Sequence, residues 1–186
     1  LYKEVLIFCS LDLSSFYFDI SKDVLYCNSV NSKKRKNCVI ILNIVLECLL
    51  KWFAPIFVFT TDEIYSLVNK DKKNIHEHLF PEIPKHWENI NLDNRWKKLY
   101  SIKQVANVAI EEKRANKEIG SSLEAELKIT TDEQKFSLLE GLDLAEYFIT
   151  SKAEMFKSKK KEELKIEVTK SKGVKCERCW KILDTK

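Results

Sequence analysis

Cys176 and Cys179 stand in the string Gly173-Val174-Lys175-Cys176-Glu177-Arg178-Cys179-Trp180-Lys181. A C-x-x-C turn lets two thiolates reach one Zn²⁺ at ~2.3 Å from a single tight knuckle. A structural zinc site takes four ligands, and a second C-x-x-C usually follows about 15–20 residues later. Only seven residues follow Cys179, so the pattern is half a zinc ribbon. A redox C-x-x-C is the rival reading. It would sit at a helix N-terminus behind a central strand, and no such context is visible. His76, His78 and His86 could add ligands, but they lie in a polar loop far upstream. Half a coordination shell holds zinc weakly, so the tail after Gly173 is expected to be mobile.

The second set of candidate groups is basic. Lys33, Lys34, Arg35 and Lys36 cluster in a polar run, and Lys113, Arg114 and Lys117 converge near a helix end. Such groups can hold phosphates. They can equally form a solvated helix face together with Glu111 and Glu112. The formal net charge is +4, and it is unevenly spread. Residues 151–186 hold 12 Lys and Arg against 6 Asp and Glu, and the remainder holds 20 against 22. A basic end points to a polyanionic partner. The count of 28 Lys to 4 Arg, beside 11 Asn, resembles AT-rich coding and weakens any argument from lysine number alone.

Other chemistry is excluded. The three glycines, Gly120, Gly141 and Gly173, stand apart, so neither a P-loop nor G-x-G-x-x-G exists here. There is no G-x-S-x-G and no H-E-x-x-H. Asp62 and Glu63 read as helix-opening carboxylates stabilised by the dipole. No catalytic residue is legible. Cys9, Cys27, Cys38 and Cys48 lie in apolar surroundings and read as small core hydrophobes in a reducing compartment.

The elements that position these groups follow from periodicity. The chain has 186 residues and is 45% hydrophobic, enough for one domain and an appendage. Phe16, Ile20, Val24 and Cys27 share one helical face. A long helix is predicted over about 33–53, ended by Pro55, with an apolar stripe wide enough to pack on more than one side. Thr60 and Glu63 form a possible capping box for a helix to about Val68. Residues 69–90 read as loop. A further helix covers about 92–117, with Gly120 as its C-terminal cap.

After Gly120 the period becomes two. Leu123, Ala125, Leu127 and Ile129 alternate with charges, as in a half-buried strand. Thr131 to Gln134 opens a short helix to about Glu140. Residues 144–151 are expected to form a second strand around Tyr147-Phe148-Ile149-Thr150, and 164–168 a third. The predicted class is mainly α: a helical bundle over 1–120, a small α+β junction unit over 121–172, and a knuckle over 173–186. The first stretch, from Leu1 to Cys9, is too short and charged to span a membrane, and it carries no secretory pattern. It reads as the start of a piece of a longer protein.

Four segments carry a resemblance. Trp52-Phe53-Ala54-Pro55-Ile56-Phe57-Val58-Phe59-Thr60-Thr61-Asp62-Glu63-Ile64 resembles the W-x-A-P-I-x-x-F-x-x-D-E-I segment of class I aminoacyl-tRNA synthetases. Residues 12–19 (Asp12-Leu13-Ser14-Ser15-Phe16-Tyr17-Phe18-Asp19), with Lys22-Asp23 and Leu25-Tyr26, resemble a segment of the isoleucyl-tRNA synthetase family. Lys117-Glu118-Ile119-Gly120-Ser121-Ser122-Leu123-Glu124-Ala125 is similar to that family's junction, and Gly173 to Lys181 to the start of its zinc ribbon. The order is that of the bacterial form.

The resemblance implies a fold and a task. The fold is the helical anticodon-binding bundle, and the partner is the anticodon stem-loop of tRNA-Ile. Lys33, Lys34, Arg35, Lys36, Lys113, Arg114 and Lys117 would serve phosphates, and Arg178 and Trp180 would stack on or near the anticodon. Cys176 and Cys179 would supply half a zinc site. ATP and Mg²⁺ would be used by a catalytic domain whose H-I-G-H and K-M-S-K-S segments are absent here. A cytoplasmic monomer without membrane contact is implied. A valyl-, leucyl- or methionyl-type synthetase, or a free-standing helical interaction module, stays open at this point.

Overall fold

The computed structural model describes residues 2–69, 73–160 and 163–184. By packing the chain divides into two units. One comprises residues 1–23 with 89–186, and the other Val24–Glu88. A division at Gly120 was expected. It is not where packing divides, because the long helix before it shares its core with the strands after it.

The first unit is a one-sided sheet. β1 (Ala125–Thr131) is central, parallel to β2 (Lys152–Lys157) and antiparallel to β3 (Leu164–Lys170). Ala125, Leu127, Ile129 and Thr131 point inward and are fully buried. The intervening Glu126, Lys128 and Thr130 face outward, as the period of two demands. Helix α5 (Ile90–Ala115) lays Leu99, Ile102, Ala106 and Ile110 on that apolar face. α6 (Glu133–Leu139) and α7 (Leu144–Phe148) complete the layer through Leu139, Tyr147 and Phe148. Each helix start has a side-chain cap. Asn89, Asp132 and Asp143 accept from the backbone N–H groups of Leu92, Lys135 and Glu146, which satisfies otherwise orphaned donors.

At the chain's start, α1 (Tyr2–Ile7) runs into a π-helical stretch, Phe8–Phe18, and then α2 (Asp19–Cys27). Phe16 from this stretch meets Trp96, Tyr100 and Tyr147 edge-on, at centroid distances of 6.0, 6.0 and 6.4 Å.

Two expectations fail in this unit. Residues 147–150 are not a strand. Asp143 caps a short helix there, and Ile149 ends it in the left-handed conformation at φ 58°. The aromatic and β-branched run favours a strand by propensity, but tertiary packing and the cap decide. Nor does Gly120 cap α5. Asn116 is the C-cap, and Lys117 takes the left-handed position at φ 59°. Its N–H reaches Arg114 O at 2.9 Å and the Glu118 N–H reaches Lys113 O at 3.0 Å, the pair of bonds that closes a Schellman end.

The second unit contains α3 (Lys33–Phe53) and α4 (Val58–Val68), joined by a tight turn at Pro55. Leu50, Ala54, Tyr65 and Ile75 form its core, with Leu46 against them. The predicted Thr60 cap is a misreading. The helix already starts at Val58 behind Phe57, and Thr60 lies inside it. Asp62, expected to serve the helix start, accepts instead from the Ile75 N–H at 3.3 Å. Residues 69–90 contain two 3-10 turns, Ile75–Glu77 and Lys85–Trp87, while 70–72 lie outside the described residues. The stripe on α3 is not covered all round. Cys38, Cys48 and Leu50 are buried, whereas Val39, Ile40 and Ile41 are exposed. Of the other apolar cysteines, Cys9 and Cys27 are only partly buried. Among the described residues no helix is long and apolar enough to cross a membrane.

Candidate RNA-binding surface and cysteine hairpin

The tail expected to be mobile is a docked hairpin. β4 (Val174–Lys175) pairs antiparallel with β5 (Ile182–Leu183). Inside it the Cys176 N–H reaches Lys181 O at 2.8 Å and the Trp180 N–H reaches Cys176 O at 2.9 Å. The turn needs two unusual backbones. Trp180 is left-handed at φ 64°. Gly173 sits at φ 139°, where a Cβ would fall 2.2 Å from Leu183 O. Long-range contacts fix the hairpin on the first unit. The Ser151 hydroxyl accepts the Ile182 N–H at 2.6 Å and donates to Leu123 O. Lys181 Nζ lies 3.1 Å from Asp23 Oδ2 in a half-buried pair. None of these partners is near in sequence, which is why local reading missed the docking.

The two thiols differ. Backbone N–H groups of Cys179 and Arg178 bond the Cys176 sulfur and hold its pKa below the usual thiol range. Burial pushes the Cys179 thiol up. N–H donors converging on one sulfur stabilise a thiolate, as a metal-ligating knuckle requires. The donor set fits two of zinc's four ligands. Among the described residues no group of three His, Cys, Asp or Glu converges. His76 Nε2 bonds Val58 O at 3.2 Å and His78 Nε2 bonds the Tyr65 hydroxyl at 2.9 Å. Both histidines are thus engaged within the second unit. Trp180 is 60% exposed rather than packed, and Arg178 is exposed beside it.

The α5 end gathers three of the basic candidates, with different fates. Lys113 Nζ pairs with Glu118 at 2.8 Å, and Arg114 Nη1 with Glu111 at 2.6 Å. Lys117 has no carboxylate within ion-pair reach among the described residues. Arg114 and Lys117 line one shallow groove together with Gly120 and Lys170. Lys170, from the end of β3, was not singled out by sequence. Lys33, Lys34, Arg35 and Lys36 occupy the first turn of α3, which has no acidic residue. Arg35 Nη1 donates to Asn28 O at 3.3 Å, and the three lysines are exposed. Cations here oppose the helix dipole, while an anion would meet both the cations and the positive end of the dipole. This cluster belongs to the second unit and the α5 groove to the first.

Sequence reasoning also missed Lys103. Its signal was present, since Leu99, Lys103, Ala106 and Ile110 step by four, three and four along the buried face of α5. Nζ donates to Tyr147 O at 2.8 Å and lies 5.3 and 5.2 Å from the Phe16 and Tyr147 ring centroids. Burial pulls its pKa down to about 8, partly offset by Asp19.

The family described as the anticodon-binding domain of tRNA ligase matches residues 1–129. The chain belongs to this family. Among curated proteins it is 50% identical over 182 residues to an isoleucine–tRNA ligase of Pelagibacter ubique, covering 98% of this chain and 20% of that protein. Isoleucine–tRNA ligases of Methylacidiphilum infernorum and Agrobacterium fabrum are 41% and 36% identical, each over 97% of this chain. The chain spans about a fifth of the length of these relatives. For this anticodon-binding domain one detail matters. The family match ends inside β1, whereas the Pelagibacter relative aligns across 98% of the chain, leaving too few residues unaligned to omit the cysteine hairpin.

Proposed function

We propose that this chain is the tRNA-gripping part of an isoleucine–tRNA ligase and takes the anticodon stem-loop of tRNA-Ile. One observation carries the reading: the likeness to isoleucine–tRNA ligases continues past the family match, through the sheet and the hairpin. A generic helical interaction module has no need of that tail. Lys33, Lys34, Arg35 and Lys36 on one unit, and Arg114 and Lys117 on the other, would hold phosphates. Lys113 would join them on exchanging Glu118 for a phosphate. Arg178 and Trp180 would stack on unstacked loop bases, for which an exposed ring and guanidinium are suited.

Cys176 and Cys179 would supply two of the four ligands of a structural zinc, which would clamp the hairpin turn. Activation of isoleucine with ATP and Mg²⁺ would belong to the rest of the protein. A monomer working in the cytoplasm completes the reading.

The test uses the protein in its full length. Charging of tRNA-Ile is compared with charging of the same tRNA carrying a valine anticodon. The expected loss in kcat/KM is about a hundredfold or more, since each stacked base contributes ~1–3 kcal/mol. Equal charging of both tRNAs, or charging with valine in place of isoleucine, overturns the assignment.

A further inference from the structure

A second cleft lies on the first unit, between the outer face of the sheet and the cysteine hairpin, with a volume of about 590 Å³. Four lysines line it: Lys128 from β1, Lys152 from β2, Lys170 from β3, and Lys172 just beyond. The carboxylates on its wall are Glu126 and Asp184. None of the four was a candidate in the sequence.

Their electrostatic states differ. Lys152 is committed to Glu126 and Glu154, at 3.7 and 3.1 Å. Among the described residues Lys170 reaches Glu124 alone, at 4.0 Å. No carboxylate among the described residues lies within ion-pair reach of Lys128 or Lys172, although Glu167 is the register partner of Lys128 on β3. Ser171, on the same wall, has its hydroxyl buried without a hydrogen-bond partner. A buried hydroxyl left unpaired is unfavourable, and an anion in the cleft would supply the missing partner.

No aromatic ring lines the cleft. It therefore offers charge and hydroxyls but no surface on which a base could stack. That is chemistry for phosphate rather than for base edges. Lys170 also borders the groove that holds Arg114 and Lys117. The two depressions thus share a wall, and Arg114, Lys117, Lys170, Lys172 and Lys128 form one basic track over the first unit.

We propose that the cleft between sheet and hairpin is a phosphodiester-binding site, which takes backbone phosphates of the same RNA beyond those held at the α5 end. This rests on the tRNA-binding reading and adds a contact region to it. The hairpin wall makes the site depend on docking through Ser151 and Lys181, so the knuckle shapes the backbone grip as well as carrying Trp180.

The test measures binding of a tRNA-Ile transcript to the full-length protein at several salt concentrations. Lys128→Gln/Lys172→Gln is compared with the parent and with Lys97→Gln/Lys98→Gln, a control pair on the exposed face of α5. Melting curves first establish that both variants fold. Two lost phosphate contacts should lower the log–log salt slope by roughly 1.4–1.8 in the cleft variant and leave the control at the parent's slope. An unchanged slope in the cleft variant overturns the site, as does an equal fall in the control pair. In those cases Arg114→Gln/Lys117→Gln still weakens binding if the tRNA reading stands. A parent that does not bind the transcript overturns both.

Discussion

Lys103 donates its ammonium proton to the carbonyl oxygen of Tyr147 at 2.8 Å, from a side chain that is 4% exposed. The bond ties the middle of α5 to the end of α7, and the Phe16 ring closes over it. Desolvating the charge is the cost, and the pKa falls from 10.5 to about 8. The Tyr147 hydroxyl is buried without a partner, and burial pushes its phenol well above the usual range.

The sign of the resulting pH dependence is fixed. The unfolded lysine binds its proton up to about pH 10.5 and the folded one only to about pH 8. Stability is therefore lowest, for this group, below pH 8 and climbs as pH rises toward 10.5. The full climb corresponds to about 3.4 kcal/mol at most. Lys103→Met should remove it while leaving Tyr147 O without a partner, at about 1 kcal/mol. Urea unfolding at pH 7, 8.5 and 10 checks this. The parent's gain over the variant should grow with pH, and parallel profiles would contradict the assignment.

Lys117 sets stability against recognition. A side chain in the left-handed region costs roughly 1 kcal/mol, which glycine avoids. Lys117→Gly should stabilise the domain by about 0.5–1 kcal/mol. It should also lower the salt slope of tRNA binding by roughly 0.7–0.9 through one lost phosphate contact. Denaturant midpoints and salt titrations on one preparation read both effects. A glycine variant with the parent's slope would remove Lys117 from the phosphate track.

Trp180 should behave in the opposite way. Its ring is exposed and carries no charge. Trp180→Ala is expected to weaken anticodon stem-loop binding by about 1–3 kcal/mol with no change in salt slope. Thermal unfolding should barely move. A changed slope with unchanged affinity would contradict a stacking role.

Gly173→Ala tests the hairpin. No rotamer change can relieve a Cβ 2.2 Å from a backbone oxygen. The hairpin should open while the sheet core persists, because their contacts are few. Hydrogen exchange at the Cys176 and Trp180 amides should rise toward unprotected rates while that of Ile129 stays slow. Retained protection at Cys176 would show that the hairpin tolerates the methyl.

What the sequence revealed was local. The bounds of α3 and the inward face of β1 follow from periodicity, because both elements bury one face of an uninterrupted pattern. The short α7 was hidden, since five residues are too few to show a period and Tyr147-Phe148-Ile149 resemble strand residues. Gly120 looked like a cap because it is glycine, while the chain spent a lysine on that conformation three residues earlier. The candidate site was legible as residue types only. Arg114 and Lys117 do share a groove, but its third cation, Lys170, arrives through strand pairing 53 positions away. The Lys128–Lys172 cleft needs three strands and a hairpin before it exists.

The division of the chain has a consequence for synthesis. Val24–Glu88 is an insertion into a unit made from residues 1–23 and 89–186. As the chain leaves the ribosome, everything the inserted unit needs emerges first and can pack at once. Phe16 cannot, because its partners lie at 96, 100 and 147. Phe16 meets Trp96 and Tyr100 only after the whole inserted unit has been made, and Tyr147 later still. Even then β1 has no antiparallel neighbour until residue 170 is made. Within this region the order of synthesis and the order of packing therefore differ: the inserted unit is complete before the unit that surrounds it can close.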